Sequence, residues 1–506
     1  MKEHTILELG HKMAAGDTTA CDLVEDYLNR IISIDRSGPR LNAVIEINPD
    51  ALEIAEKRDQ ERKAGKVRSP LHGIPIIIKD NIDTRDKMQT TAGSLALEGS
   101  HARRDAHLVK RLRRSGAVLL GKANLSEWAN FRGARSVSGW SSRGGLTRNP
   151  YVLDRSACGS SSGSAVAAAA NLCVAAVGTD TDGSITCPAQ TCGVVGLKPT
   201  LGLISRSGII PISKSQDTAG PLARTVEDVA VLLGEMVGVD ERDKATQLKR
   251  RKAHYDYTKF LAKDGLKGVR IGVARNMLGS DERIIDILEN CLDIMKELGA
   301  VIIDPTDLPN LGKFRKTELE VLLYEFKSGL NAYLSDLGPR SQVHSMEEVI
   351  QFNEDHKERA MPYFGQELML AAIEKGPLSS PEYREALSKN RRLTRREGID
   401  EIINKERLDA IVVISGGPAW LIDLVNGDPH SWDMKSSPAA AVAGYPHITL
   451  PGGQIGGLPI GISFFSKAWR EPTLLRIAYA LEQELQARKP PEFLPTLGLG
   501  GITTNP

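Results

Sequence analysis

The run Gly178-Thr179-Asp180-Thr181-Asp182-Gly183-Ser184-Ile185-Thr186-Cys187-Pro188 places one serine in a tight, glycine-assisted turn. Such a turn exposes a hydroxyl and aims several backbone N–H groups at one point. Acyl transfer needs both: a nucleophile, and donors waiting where an oxyanion develops. Upstream, Gly159-Ser160-Ser161-Ser162-Gly163-Ser164 opens into the helix-forming run Ala165 to Ala170. A second serine loop therefore sits at a helix N-terminus, where orphan N–H groups and the dipole favour negative charge.

A serine nucleophile needs a base, for which histidine is the usual candidate. Leu71-His72-Gly73-Ile74-Pro75-Ile76-Ile77-Ile78-Lys79-Asp80 offers a different one, an apolar β-branched run of strand length that ends in a lysine. Strand geometry by itself favours a Lys79 side chain that leaves the strand end for water. If it is buried instead, its ammonium is disfavoured and its pKa falls toward the range of a usable base.

Taken together, these segments resemble the amidase signature family of Ser-Ser-Lys amide hydrolases. The glycine-serine loop, the small-residue helix, the Gly-Thr-Asp-Thr turn and Cys192-Gly193-Val194-Val195-Gly196-Leu197-Lys198-Pro199-Thr200 follow one another between Gly159 and Thr200, and the lysine strand is Gly73 to Lys79. The resemblance implies that Ser184 is the nucleophile, Ser160 the bridging serine of a cis-peptide loop and Lys79 the base. Spacing alone does not choose Ser160 over Ser161 or Ser162. The implied oxyanion hole is the backbone of Thr181, Asp182, Gly183 and Ser184. The implied fold is α/β, a large twisted mixed β-sheet covered by helices on both faces. One signature domain would span residues 1–506, with a core at about 55–233 and 408–485 and a variable, helix-rich covering region at 240–405.

Two positions depart from the commonest family pattern: Asp182-Gly183 replaces a glycine pair, and Ser162-Gly163 replaces Gly-Gly. With Trp140 to Pro150 and Ser215 to Pro221, they make the chain resemble the bacterial peptide amidase branch, whose members release ammonia from peptide C-terminal carboxamides. A related hydrolase of aryl amides, carbamates or esters is the alternative, and a glutamine-hydrolysing subunit of a tRNA-dependent amidotransferase is a third. Asp182 adds a Cβ to the turn, so either its φ is negative or the turn is strained. Asp180 reads as an Asx residue bonding its own turn. Arg143, Asn149 and Arg155 read as pins for the serine loop.

At 41% hydrophobic and 25% charged residues the chain of 506 is ordinary globular protein. A net charge of +1 leaves no electrostatic footprint for nucleic acid or an anionic membrane. A small amide or short peptide is the expected substrate, with the protein a monomer or homo-oligomer. The six cysteines include no Cys-x-x-Cys pair and read mostly as small buried hydrophobes, without a zinc site or a dense disulfide framework. No histidines have metal-ligand spacing, so neither metal nor cofactor is expected. The charged first ten residues do not read as a signal peptide, which points to the cytoplasm. The charge-dense stretch Asp240 to Arg250 reads as an exposed connection. Lys313 to Lys405 reads as helical, either a solvated layer or a cover for the active-site mouth.

Overall fold

The computed structural model describes residues 2–249, 253–429 and 436–498. Its strands in chain order are β1 Val44–Ile47, β2 Pro75–Lys79, β3 Val118–Ala123, β4 Trp140–Ser141, β5 Gly145–Leu146, β6 Ala175–Asp180, β7 Val195–Lys198 and β8 Thr218–Ala223. They continue as β9 Arg270–Val273, β10 Val301–Ile303, β11 Ala410–Ile414, β12 His447–Ile455 and β13 Leu458–Phe465. β4 and β5 form a small hairpin; the other eleven make one sheet in the order β1-β3-β2-β6-β8-β7-β12-β13-β11-β9-β10. Two parallel runs, β3-β2-β6 and β10-β9-β11, are joined through antiparallel pairs, so the sheet is mixed and helices surround it, as expected.

β2 lies between β3 and β6, and all five of its residues are buried, which accounts for a strand that is apolar without alternation. Side-chain caps set the helix boundaries near the N-terminus. Thr5 and Glu8 form a capping box for Ile6–Ala15, Gly16 ends that helix at φ 82°, and Thr19 with Asp22 opens the next. The segment Arg270 to Ile303 is a strand, helix, strand unit, with β9 and β10 parallel.

One expectation needs correction in part. Asp240 and Asp243 are not exposed: Asp240 accepts bonds from Ser205 and Ser207, and Asp243 pairs with Arg206 (2.6 Å). These two charges are spent inside a folded loop, while Glu241, Arg242 and Lys244 are exposed as expected. Arg250 lies outside the described residues. Cys158 and Cys187 form a disulfide across 29 residues, while Cys173, Cys192 and Cys291 are buried thiols. One bridge is not the dense framework whose absence was expected. Among the described residues no helix is long and apolar enough to cross a membrane.

From residue 313 to residue 406 the chain is largely helical, and the layer is more than a solvated surface. Leu322, Phe326 and Leu330 of the helix Arg315–Ser335 join Trp128 and Phe131 in one apolar cluster. This anchors the helix over loops that follow β3.

Candidate active site

Lys79 ends β2 and is fully buried, so the burial its strand made conceivable is what the fold adopts. Its Nζ donates to Ser160 Oγ (2.8 Å), Ser161 Oγ (3.0 Å) and Thr179 Oγ1 (2.9 Å). Burial pushes the ammonium down to about 7, against the opposing pull of Asp180 and Asp217. Hydrogen bonds thus replace part of the lost hydration, and the amine titrates near neutral pH.

The serine loop enters through a cis peptide between Gly159 and Ser160. Its hydroxyls are not equivalent. Ser161 Oγ donates to Thr179 O (3.0 Å), Ser162 Oγ to Cys158 O (2.5 Å) and Ser164 Oγ to Val177 O (3.0 Å). Three of the four hydroxyl protons are therefore spent on backbone carbonyls. Ser160, fully buried against Lys79, is the loop serine whose proton is not claimed in this way among the described residues. The choice that spacing left open thus has a physical basis.

Ser184 stands in the turn after β6 and is partly exposed. Its carbonyl accepts from Ser161 N–H (3.1 Å), which brings the serine loop and the turn together. Among the described residues no hydrogen bond joins the hydroxyls of Ser160 and Ser184. Asp180 organises the turn as an Asx residue, accepting from Gly183 N–H (3.0 Å) and Ile185 N–H (2.6 Å). The Gly183 N–H is thereby turned toward a carboxylate and drops out of the expected set of oxyanion donors. Gly183 takes φ +85°, and a Cβ there would lie 2.8 Å from Ser437 Oγ, so glycine is required. Asp182 is absent from the positive-φ residues, which resolves the alternative of strain at that position.

The expected pins hold loops rather than face the turn. Arg143 pairs with Glu46 (2.7 Å), Asn149 donates to Ser156 O and Thr191 O, and Arg155 donates to Ala419 O. The Cys158–Cys187 bond links the residue before the cis peptide to the helix Thr186–Thr191, which removes both sulfurs as nucleophiles. Sequence reasoning missed Thr179 and Ser161 as lysine ligands, and also Gln216 and Glu318, which reach the turn from distant segments. Among the described residues no cluster of metal-ligating side chains occurs.

A mixed sheet thus sets a buried lysine against a serine loop beside a glycine-serine turn. The family model described as Amidase matches residues 22–475, and the chain belongs to the amidase signature family and is an amide hydrolase. Among solved structures it is similar to the native peptide amidase of Stenotrophomonas maltophilia, with 50% identity and a TM-score of 0.92 over 97% of this chain and 99% of that one. A probable amidase of Arabidopsis thaliana is 42% identical over 98% of this chain and 92% of its own length. A glutamyl-tRNA(Gln) amidotransferase subunit of Symbiobacterium thermophilum is 35% identical over 94% of this chain and 95% of its own length.

Proposed function

We propose that this amidase hydrolyses the C-terminal carboxamide of peptides, or similar primary amides, to the acid and ammonia through an acyl-enzyme on Ser184. The observation that carries the reading is the buried Lys79 Nζ held 2.8 Å from Ser160 Oγ, in a loop tied to the Ser184 turn. Neutral Lys79 takes the Ser160 proton as Ser160 takes that of Ser184, whose oxygen attacks the carbonyl carbon. The tetrahedral oxyanion is held by backbone N–H groups of Thr181, Asp182 and Ser184. The relay then runs backwards to protonate the leaving nitrogen, and water releases the acid by the same route.

The similarity to a peptide amidase at 50% identity favours peptide amides over the aryl amide, carbamate or ester alternative. The lower identity of 35% to an amidotransferase subunit gives less support to glutamine hydrolysis for a partner. The test is ammonia or amine release from a panel of amidated peptides, glutamine, anilides, carbamates and esters. Highest kcat/KM for amidated peptides supports the proposal, and preference for glutamine or for esters overturns it.

A further inference from the structure

A cavity of about 440 Å³ lies between the chain that leaves β7, at Thr200 and Leu201, and the helix Pro381–Arg391 of the cover. Arg206, Lys214, Arg391 and Arg395 line it against a single acid, Glu325, among the described residues. The Glu325 carboxylate is spent: it accepts from Ser213 Oγ (2.5 Å), from Ser215 N–H and Oγ (2.9 Å each) and from Tyr383 Oη (2.6 Å). Arg206 is spent too, on Asp243 (2.6 Å). The other three cations are not. The Lys214 ammonium and the Arg391 guanidinium, both exposed, make no hydrogen bond or ion pair among the described residues. Arg395 is half-buried, with Nε donating to Ala443 O (2.8 Å) and the guanidinium 5.7 Å from the centre of the Tyr445 ring. Both of its Nη groups are left without an acceptor among the described residues. Asp400, which offsets part of the Arg395 charge, takes the Tyr445 hydroxyl (3.0 Å). Arg391 and Arg395 stand four residues apart where that helix runs on into the wider turns of Arg392–Ile399, so neither has free helix-end carbonyls to hold its charge. Like charges at this spacing repel.

We infer that this cavity binds a small anion carrying two negative charges, a phosphate or a dicarboxylate, between the guanidinium groups of Arg391 and Arg395 and the ammonium of Lys214. A planar guanidinium fork matches the oxygen pairs of both groups, and a cavity of this volume suits a small ligand. The anion also removes the Arg391–Arg395 repulsion, so binding gains a contribution that an isolated surface arginine does not offer. The aromatic walls Tyr445 and Trp469 keep part of the site dry, which strengthens the attraction. Trp469 takes φ +68°, a conformation costly for a bulky residue, and its N–H donates to Thr200 Oγ1 (2.9 Å). The site abuts the nucleophile turn and shares no residue with the proposed relay. Ser215 of its wall precedes Gln216, whose amide donates to Thr181 O (3.2 Å).

Titration calorimetry on the full chain, with inorganic phosphate and with succinate at one fixed ionic strength, tests this without any turnover. Wild type should bind at least one of the two at a single saturable site, with Kd of about 1 mM or lower. Tighter binding of phosphate assigns a phosphate ligand, and tighter binding of succinate a dicarboxylate. The double variant Arg391→Gln with Arg395→Gln should bind about tenfold more weakly or worse, since both forks are lost. Arg392→Gln is the control: Arg392 pairs with Glu397 (2.8 Å) and does not line the cavity, so its binding should match wild type. Without ligand, Arg391→Gln should unfold at the wild-type denaturant midpoint or above it, because it breaks no bond and relieves a repulsion. If the double variant does not fold, Arg391→Gln alone decides, with an expected loss of about threefold or more. Heats that fail to saturate for both anions in wild type overturn the inference. So does equal weakening by Arg392→Gln, or a lowered unliganded midpoint in Arg391→Gln.

Discussion

Replacing Lys79 with methionine separates what the fold gains from what the chemistry needs. The lysine is fully buried, and its ammonium is pushed from an ordinary 10.5 to about 7. Below pH 7 the folded state therefore carries a penalty of about 5 kcal/mol for holding a charge that the unfolded chain holds freely in water. The sign follows from proton counts. Between about 7 and 10.5 the unfolded chain binds this proton and the folded protein does not, so the lysine's contribution to stability rises with pH across that window and is poorest below it. Methionine removes the charge and keeps most of the volume, at a cost of about 2 kcal/mol for the bonds lost by Ser160, Ser161 and Thr179. Lys79→Met should be inactive yet about 2–3 kcal/mol more stable than wild type at pH 6.5. The advantage should shrink steadily as pH rises to 10. Denaturant titrations of both proteins at half-unit pH steps measure the difference. A difference that stays constant from pH 6.5 to 10 would refute the neutral-lysine reasoning, whatever the activity.

Other outcomes follow from the same geometry. The pH profile of kcat/KM should rise with a midpoint near 7 as Lys79 loses its proton. Lys79→Arg should not restore turnover, because arginine keeps its proton throughout; ordinary activity in that variant would remove the lysine as base. Ser160→Ala should be intermediate, with kcat down about 100-fold, since water can stand in for a relay hydroxyl but not for a nucleophile. Stopped assays at saturating substrate would show this, and a loss equal to that of Ser184→Ala would count against a relay role. Replacing Cys158 and Cys187 by serine opens a loop closed across 29 residues and should cost about 3 kcal/mol of stability, read as a lower denaturation midpoint.

The parts of the site that lie in contiguous stretches were legible in the sequence. Lys79, Ser160 and Ser184 each stand at a fixed place in a short motif, and β2 brings the first beside the loop that carries the second. Which loop serine faces the lysine was not legible, because it depends on which hydroxyls find backbone carbonyls in the folded loop. The donor role of Gly183 was misread for a similar reason: the Asx geometry of Asp180 was anticipated, but not that it would take this N–H. Glu318 and Gln216 escaped because their partners lie across long sequence separations, where periodicity carries no information about packing. The insertion of β8 between β6 and β7, antiparallel to both, is likewise a matter of strand pairing that hydrophobic pattern does not encode. Asp240 and Asp243 read as solvated charges because burial of an ion depends on partners that only the fold supplies.

Hydrolysis by the proposed route requires that Ser184 be acylated during turnover. Acid quenching of the enzyme during hydrolysis of an activated peptide ester, followed by peptide mapping by mass spectrometry, reads the acylated residue directly. One acyl group is expected on the peptide that contains Ser184, located on its side chain, with no adduct in Ser184→Ala. An acyl group on another residue, or turnover by Ser184→Ala at the wild-type rate, would contradict it.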